Sequence, residues 1–263
     1  AIAAVQNARI NNVERIILAR DVIAKRRAYS IGLPVMQALE KEGVDVTNCT
    51  SLDICNYCPG FVHGLNVAHL MAQAEQAENI LVIASTNYTD LINTDSGFNE
   101  QFSNSFDSFK PSVIQYSLRQ EGQFQVPALN AFLWGCGAGA MVLGKTEENS
   151  ILGFQSRSSR RLKYDSYGIG EANTGKLLAS LDGKAIYKYV ISEVPQFIGI
   201  FLESLNIQQK DIDVLIPHQP NPRILHDLAT RIEIPEERIL ISCDTLGNMI
   251  AASTPVTYHI GRE

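Results

Sequence analysis

Short apolar runs of strand length alternate with longer amphipathic runs along most of this chain. That alternation restricts the fold to sheets with helices laid on their faces. Residues 13–18 read as a strand, 29–42 as a helix ended by Gly43, and 50–55 as a second strand. Residues 60–75 read as a helix with apolar positions at Phe61, Leu65, Ala68 and Ala72. Residues 79–85 are almost wholly apolar, as a strand is when both of its faces are covered. The stretch 93–127 breaks the pattern: it is polar, rich in Asn, Ser and Phe, and ends in turn residues. A loop that long inside a compact domain is usually functional or disordered. Within it Phe98, Phe102, Phe106 and Phe109 recur every three or four residues, so an amphipathic helix could lay one aromatic stripe over a pocket mouth or a dimer boundary. A glycine-rich strand follows at 133–143, and the grammar then repeats. It runs through a strand from Ile151, a helix at 184–205, a buried strand at 212–216, a helix at 224–232, a strand at 239–242 and a helix at 248–258. The expectation is an α/β protein of two halves, 1–150 and 151–263, with an insertion at about 93–127 and both ends incomplete.

Composition removes several classes of function. A formal net charge of −6 argues against broad nucleic-acid binding, although a local basic patch could still dock an acidic partner. No apolar run is long enough to cross a bilayer and no basic-then-apolar leader opens the chain, which makes the cytoplasm the default location. Five cysteines in 263 residues are too sparse for a disulfide scaffold.

Three separated segments carry the chemistry. Asp53-Ile54-Cys55-Asn56-Tyr57-Cys58-Pro59-Gly60-Phe61, Pro217-His218-Gln219-Pro220-Asn221-Pro222-Arg223-Ile224 and Leu246-Gly247-Asn248 each follow a strand-like run and open a helix-like one. Strand-to-helix junctions are where α/β folds place reactive groups. Pro59 suits the first helical position, which leaves the Cys58 sulfur at a helix N-terminus, where the helix dipole favours thiolate. A buried structural cysteine is the ordinary alternative. Cys55 and Cys58 also form a C-x-x-C, and a dithiol redox site is a second alternative; zinc would need two more ligands, for which His63 and His69 are an ambiguous set. His218 at the end of a buried strand can donate a hydrogen bond to a carbonyl or exchange a proton, where a loop histidine is more often solvated. Asn248 can serve as a helix N-cap or donate to negative charge developing on oxygen. His63, His69, His226 and His259 are assigned no catalytic role.

Taken together and in this order, the three segments resemble the Cys-His-Asn site of the thiolase-fold condensing enzymes, specifically the β-ketoacyl-acyl carrier protein synthase III group. The likeness covers nearly the whole chain except 93–127. It is strongest from Leu181-Asp182-Gly183-Lys184 to Asp211-Ile212-Asp213-Val214-Leu215-Ile216-Pro217-His218-Gln219, and Trp134-Gly135-Cys136-Gly137-Ala138-Gly139-Ala140 is similar to the family's glycine strand. The resemblance implies two related βαβαβ-type halves stacked as a five-layer α-β-α-β-α sandwich, paired as a homodimer. It implies that Cys58 takes an acyl group from a thioester, and that His218 and Asn248 hold the carbonyl of a malonyl thioester while it loses carbon dioxide. It also implies that Arg223 helps to dock an acyl carrier protein, that coenzyme A or carrier thioesters are the substrates, and that no cofactor is permanently bound. Acyl transfer to an oxygen or nitrogen nucleophile, or a silent partner subunit in a heterodimer, are the rival readings. Departures from the family pattern are Cys136 for the usual Asp, Met249-Ile250 for Thr-Ser, Pro59 for Ala, the long 93–127 stretch, and the missing first and last strands. They point the substrate towards specialised polyketide or fatty-acid-derived metabolism.

Overall fold

A computed structural model describes residues 1–20, 32–86, 115–117, 124–127, 134–145, 150–158, 167–171, 177–181 and 183–262. The phenylalanine stripe at 98–109 lies outside them. At the centre of the first half is a four-stranded sheet of β1 (Arg15–Arg20), β2 (Thr50–Cys55), β3 (Asn79–Thr86) and β6 (Gly137–Gly144), in the order β2-β1-β3-β6. β2, β1 and β3 run parallel, and β6 closes the other side antiparallel to β3. Parallel neighbours need crossovers, which α2 (Gly32–Lys41) and α3 (Gly60–Gln73) supply.

The period-2 geometry of β1 and β3 divides their apolar side chains between two buried faces. Ile16, Leu18, Leu81 and Ile83 face a core closed by Val5 of α1 (Ile2–Ala8) and by Leu39 of α2. Ile17, Ala19, Ile80, Val82 and Ala84 face the opposite core, built with Phe61 and Ala68 of α3. Each large apolar side chain buried this way is worth about 1.5–3 kcal/mol, which is why residues 79–86 have so few polar positions. α2 ends as its sequence indicates: Gly43 has φ 78°, and the Val44 N–H reaches back to the Leu39 carbonyl at 3.1 Å.

In the second half, α4 (Gly183–Ser204) and α5 (Pro222–Arg231) pack through Val194, Ile198, Leu228, Ile232 and Ile234. A second sheet has the order β4-β5-β8-β7, from β4 (Gln115–Ser117), β5 (Phe124–Pro127), β7 (Tyr167–Glu171) and β8 (Leu177–Leu181). Thus 93–127 contributes two strands to a sheet shared with residues beyond 166. Three expected strands do not form as ladders. Residues 150–158 have no regular structure, and 212–216 meets 239–242 only at one parallel bridge between Leu215 and Ile239. The 212–216 run is not buried either, since Val214 is 50% exposed. The final helical stretch is likewise split. α6 (Cys243–Leu246) ends at Gly247, a single 3-10 turn covers Ile250–Ala252, and α7 runs over Ser253–Ile260.

That 3-10 turn carries the second half into the first. Met249, Ile250, Ala251 and Ala252 belong to the same buried cluster as β1, β3 and α3. Residues 249–252 thus pack beside α3 on the same face of the first sheet.

Candidate active site

β2 ends at Cys55, and four residues turn the chain into α3. Gly60 is the first helical residue, where the 60–75 reading began the helix, and Pro59 is its N-cap, one position ahead of the first helical position expected for it. Tyr57 makes the turn by adopting φ 47°, and its carbonyl accepts from the Gly60 N–H at 2.9 Å. Cys58 and Tyr57 are partly buried against the cluster that includes Ile250, Ala251 and Ala252. The Cys58 turn and the 3-10 turn are in near contact. A Cβ added to Gly60 would lie 3.7 Å from that of Ala251 and 3.4 Å from that of Ala19.

His218 follows the irregular 212–217 segment and is held from its C-terminal side. Gln219 is fully buried, a costly place for a primary amide unless all its groups are paired. Its Nε2 donates to the Pro217 and Leu240 carbonyls at 3.1 and 2.9 Å, and its Oε1 accepts from the Ser242 and Cys243 N–H groups at 2.8 and 3.3 Å. The three of these that reach Leu240, Ser242 and Cys243 tie the two segments together beside the single Leu215–Ile239 bridge. Asn221 then caps α5 by accepting from the Ile224 N–H at 3.0 Å, with Pro222 at the first turn. His218 is thereby fixed in a dense environment. Burial lowers its pKa to about 4, with the Ile250 backbone pulling weakly the other way, so the imidazole is neutral at physiological pH. Its Nδ1 is buried and has no hydrogen bond of normal geometry.

Asn248 is stitched to the first half through its backbone. Its carbonyl accepts from the Gly135 N–H at 3.0 Å, in a parallel bridge between Trp134 and Asn248. The glycines beside Cys136 make that approach possible. A Cβ on Gly135 would fall 1.9 Å from the Leu246 carbonyl oxygen, and one on Gly137 would fall 2.4 Å from the Met249 sulfur. The Asn248 side chain does not open α7, which starts five residues later; it makes an Asx turn at the entry to the 3-10 turn, whose N-cap is Met249. Its oxygen accepts from the Ile250 N–H at 2.9 Å. Since that backbone group can only donate, the amide must present oxygen to it, leaving the two Nδ2 hydrogens to point elsewhere.

The turn itself is anchored by buried hydroxyls. Thr86, at the end of β3, donates to the Met249 carbonyl at 2.8 Å, and Ser253 accepts from the Met249 N–H at 3.0 Å. Thr257 donates to the Ser253 carbonyl at 2.8 Å and pairs with Ser242 at 2.7 Å, which connects this network to Gln219.

Six non-glycine residues among those described have positive φ. Arg9, Glu75, Asn206 and Glu233 lie at or just beyond helix C-termini, where the left-handed conformation is ordinary. Tyr57 and Ile250 do not, and both lie against the same cluster. For Ile250 the angle is 49°, in a β-branched residue that is 2% exposed. Such a backbone costs about 1–3 kcal/mol and persists only where its surroundings over-determine it. Asn248 is bonded directly to this strained residue, and Cys58 packs against the buried cluster to which it belongs.

The remaining candidates are occupied elsewhere. His63 pairs with Asn56, His69 lies against Phe154 and His226 pairs with Glu236. All five cysteines are thiols; Cys55 and Cys136 are exposed, and Cys243 is buried with its pKa pushed up to about 11. Arg223 is exposed near the start of α5. Its guanidinium lies 5.4 Å from the Tyr187 ring and 3.9 Å from Asp227, and it is 82% exposed.

Two profiles of known families match. One describes 3-oxoacyl-[acyl-carrier-protein] synthase III and covers residues 52–106; the other describes the C terminus of the same synthase and covers 202–263. The chain is 27% identical to the β-ketoacyl-[acyl-carrier-protein] synthase III of Clostridioides difficile over 270 aligned positions, covering 97% of this chain and 70% of that protein. Against the synthase III of Roseiflexus castenholzii it is also 27% identical, but spans 62% of that protein's length. The 3-oxoacyl-(acyl carrier protein) synthase III of Pseudomonas aeruginosa superposes with a TM-score of 0.75 at 22% identity, covering 99% of this chain and 71% of the other. That likeness identifies the fold as the thiolase fold.

Proposed function

We propose that this chain, a thiolase-fold condensing enzyme of the synthase III kind, loads an acyl group onto Cys58 and extends it by decarboxylative Claisen condensation. The Cys58 thiolate attacks the carbonyl carbon of an acyl thioester, and the thiolate of coenzyme A or of a carrier protein leaves. A malonyl thioester then binds with its carbonyl oxygen towards His218 and Asn248. Its bond to the carboxylate breaks, carbon dioxide leaves, and the electron pair moves onto the thioester carbonyl as an enolate. The enolate carbon attacks the acyl-cysteine, Cys58 leaves as thiolate, and a β-ketoacyl thioester is released.

The observation that carries this reading is the state of the two donors. A buried imidazole with a pKa near 4 is neutral, so it can donate a hydrogen bond without adding a charge to the ground state. An amide whose oxygen is turned to a backbone N–H directs its two Nδ2 donors the other way. Both stabilise an oxygen that becomes negative only as carbon dioxide departs. The activated thioester and the loss of carbon dioxide supply the drive, so the reaction needs no resident cofactor.

The two halves divide the labour. Residues 1–150 carry the nucleophile, residues 151–263 the donors, and the glycine strand joins them. The active form is a homodimer in the cytoplasm, with β2, an edge of its sheet, as the strand most open to pairing. Intact-mass analysis after mixing with acyl-coenzyme A tests the proposal. An acyl adduct that is absent in Cys58→Ala is expected, followed by its discharge as β-ketoacyl product when malonyl thioester is added. Discharge onto an alcohol or amine without carbon dioxide release would replace condensation by simple acyl transfer, and no adduct at all would leave a partner subunit.

A further inference from the structure

We propose that His63 is a positioning residue for the nucleophile: with Asn56 it closes a clasp around the turn that presents the Cys58 sulfur. The inference rests on the acyl-loading step of the reading above and adds to that site a residue that does not itself touch substrate.

Three observations lead to it. The Asn56 side chain, in the turn after β2, is hydrogen-bonded to the ring of His63 in the first turn of α3, seven residues on. The amide Nδ2 can only donate, so the ring turns its Nδ1 lone pair towards it and carries its proton on Nε2. The His63 backbone N–H also donates to the Pro59 carbonyl at 3.0 Å. One residue therefore holds the turn on both sides of Cys58, by its ring at Asn56 and by its backbone at Pro59. Between those two ties lies Tyr57 with φ 47°, a conformation that a bulky residue keeps only where its surroundings impose it. Rotation about that bond would swing Asn56 relative to Cys58, and it would break one of the two ties. The third observation is that α3 has no side-chain cap, since its N-cap is Pro59. The usual device for fixing the entry of a chain into a helix is missing there, and the Asn56–His63 pair takes its place. The helix start is itself closely packed, because a Cβ added to Gly60 would already touch those of Ala19 and Ala251. The clasp thus sets Cys58 against a fixed helix start, where the dipole favours thiolate.

The test separates the clasp from ordinary packing. His63→Phe keeps a ring but loses the acceptor, and Asn56→Ala loses the donor. Each should slow acyl loading of Cys58 from saturating acyl-coenzyme A about tenfold, read by mass spectrometry, with little change in the half-saturating concentration. The double variant should be no slower than either single one, because both remove the same bond. His63→Asn puts an amide oxygen where Nδ1 stood and should restore loading to within about threefold of the native rate. Alkylation of Cys58 by iodoacetamide at neutral pH, which needs no thioester, should follow the same order. His63→Ala serves if the phenylalanine variant does not fold. Loading by His63→Asn as slow as by His63→Phe, multiplied effects in the double variant, or native loading in both single ones overturns the clasp. A native chain that takes no acyl group, while alkylation still follows that order, overturns the acyl-loading reading and leaves the clasp standing.

Discussion

At His218, burial has a consequence for stability that can be read without any substrate. The folded ring has its pKa near 4, against an ordinary 6.5. Between those values the unfolded chain binds a proton that the folded chain refuses, so stability falls as pH drops from about 6.5 to 4 and is level again below that. At about 1.4 kcal/mol per pH unit the full loss is roughly 3 kcal/mol. Urea melts at intervals from pH 7.5 to 4 should show that slope, and His218→Gln should flatten it. An equal slope in the variant would show that the ring is not the group responsible. The window is distinct from that of Glu14, whose carboxyl is held below its ordinary value by the Glu78 and Asn79 N–H groups. Its contribution is lost only below pH 4.5, as the folded carboxylate takes up its proton.

At the scale of elements, the two halves are joined by close backbone approach, and the glycines of the 134–140 strand are the parts that allow it. Gly135→Ala would drive a Cβ against the Leu246 carbonyl, which is backbone and cannot swing aside. The variant should lose about 1–3 kcal/mol and weaken decarboxylation, because Asn248 hangs from the same strand-to-turn contact. Gly199, inside α4 with nothing within 4 Å of an added Cβ, makes the counterpart. Gly199→Ala should raise stability by about 0.5–1 kcal/mol. A thermal melt of both variants checks the pair, and a neutral Gly135→Ala would mean that the halves are not held there. The same contrast explains what could be read from the sequence. The parallel sheet of the first half was legible, because strands buried on both faces must be continuously apolar and their crossovers amphipathic. Residues 212–216 have a similar apolar run but no ladder partner, and periodicity carries no information about partners. Cys58, His218 and Asn248 were legible as reactive residue types at junctions. Gln219 was not, since it owes its role to four backbone groups up to 24 residues away, and neither was the left-handed backbone of Ile250, which no residue type announces.

For the molecule as a whole, charge sets the remaining problem: a chain of net charge −6 has to meet an acidic carrier if that carrier delivers its substrate. Long-range attraction is therefore ruled out, and docking has to rely on a local patch within about a Debye length of 8–10 Å. Arg223 is the residue we propose for that patch. It is exposed at the start of α5, on the chain segment that continues directly from His218, and its stacking on Tyr187 pre-orders a side chain that would otherwise lose entropy on binding. Lys184 and Lys188 are exposed on the same stretch of α4 as Tyr187, while Asp227 is the carboxylate that pairs with Arg223 and accepts from Tyr187. The hydrogen bond to Asp227 raises the Tyr187 pKa, so the phenol stays protonated and the patch keeps its cationic balance at any physiological pH. Arg223→Glu should therefore raise KM for a carrier-borne malonyl thioester roughly three- to tenfold, the scale of one exposed ion pair at about 1 kcal/mol. The increase should shrink at 0.5 M salt, and kcat and the coenzyme A-borne reaction should change far less. An equal KM rise for both substrates would place Arg223 on coenzyme A instead of the carrier, and no change for either would remove it from the docking surface.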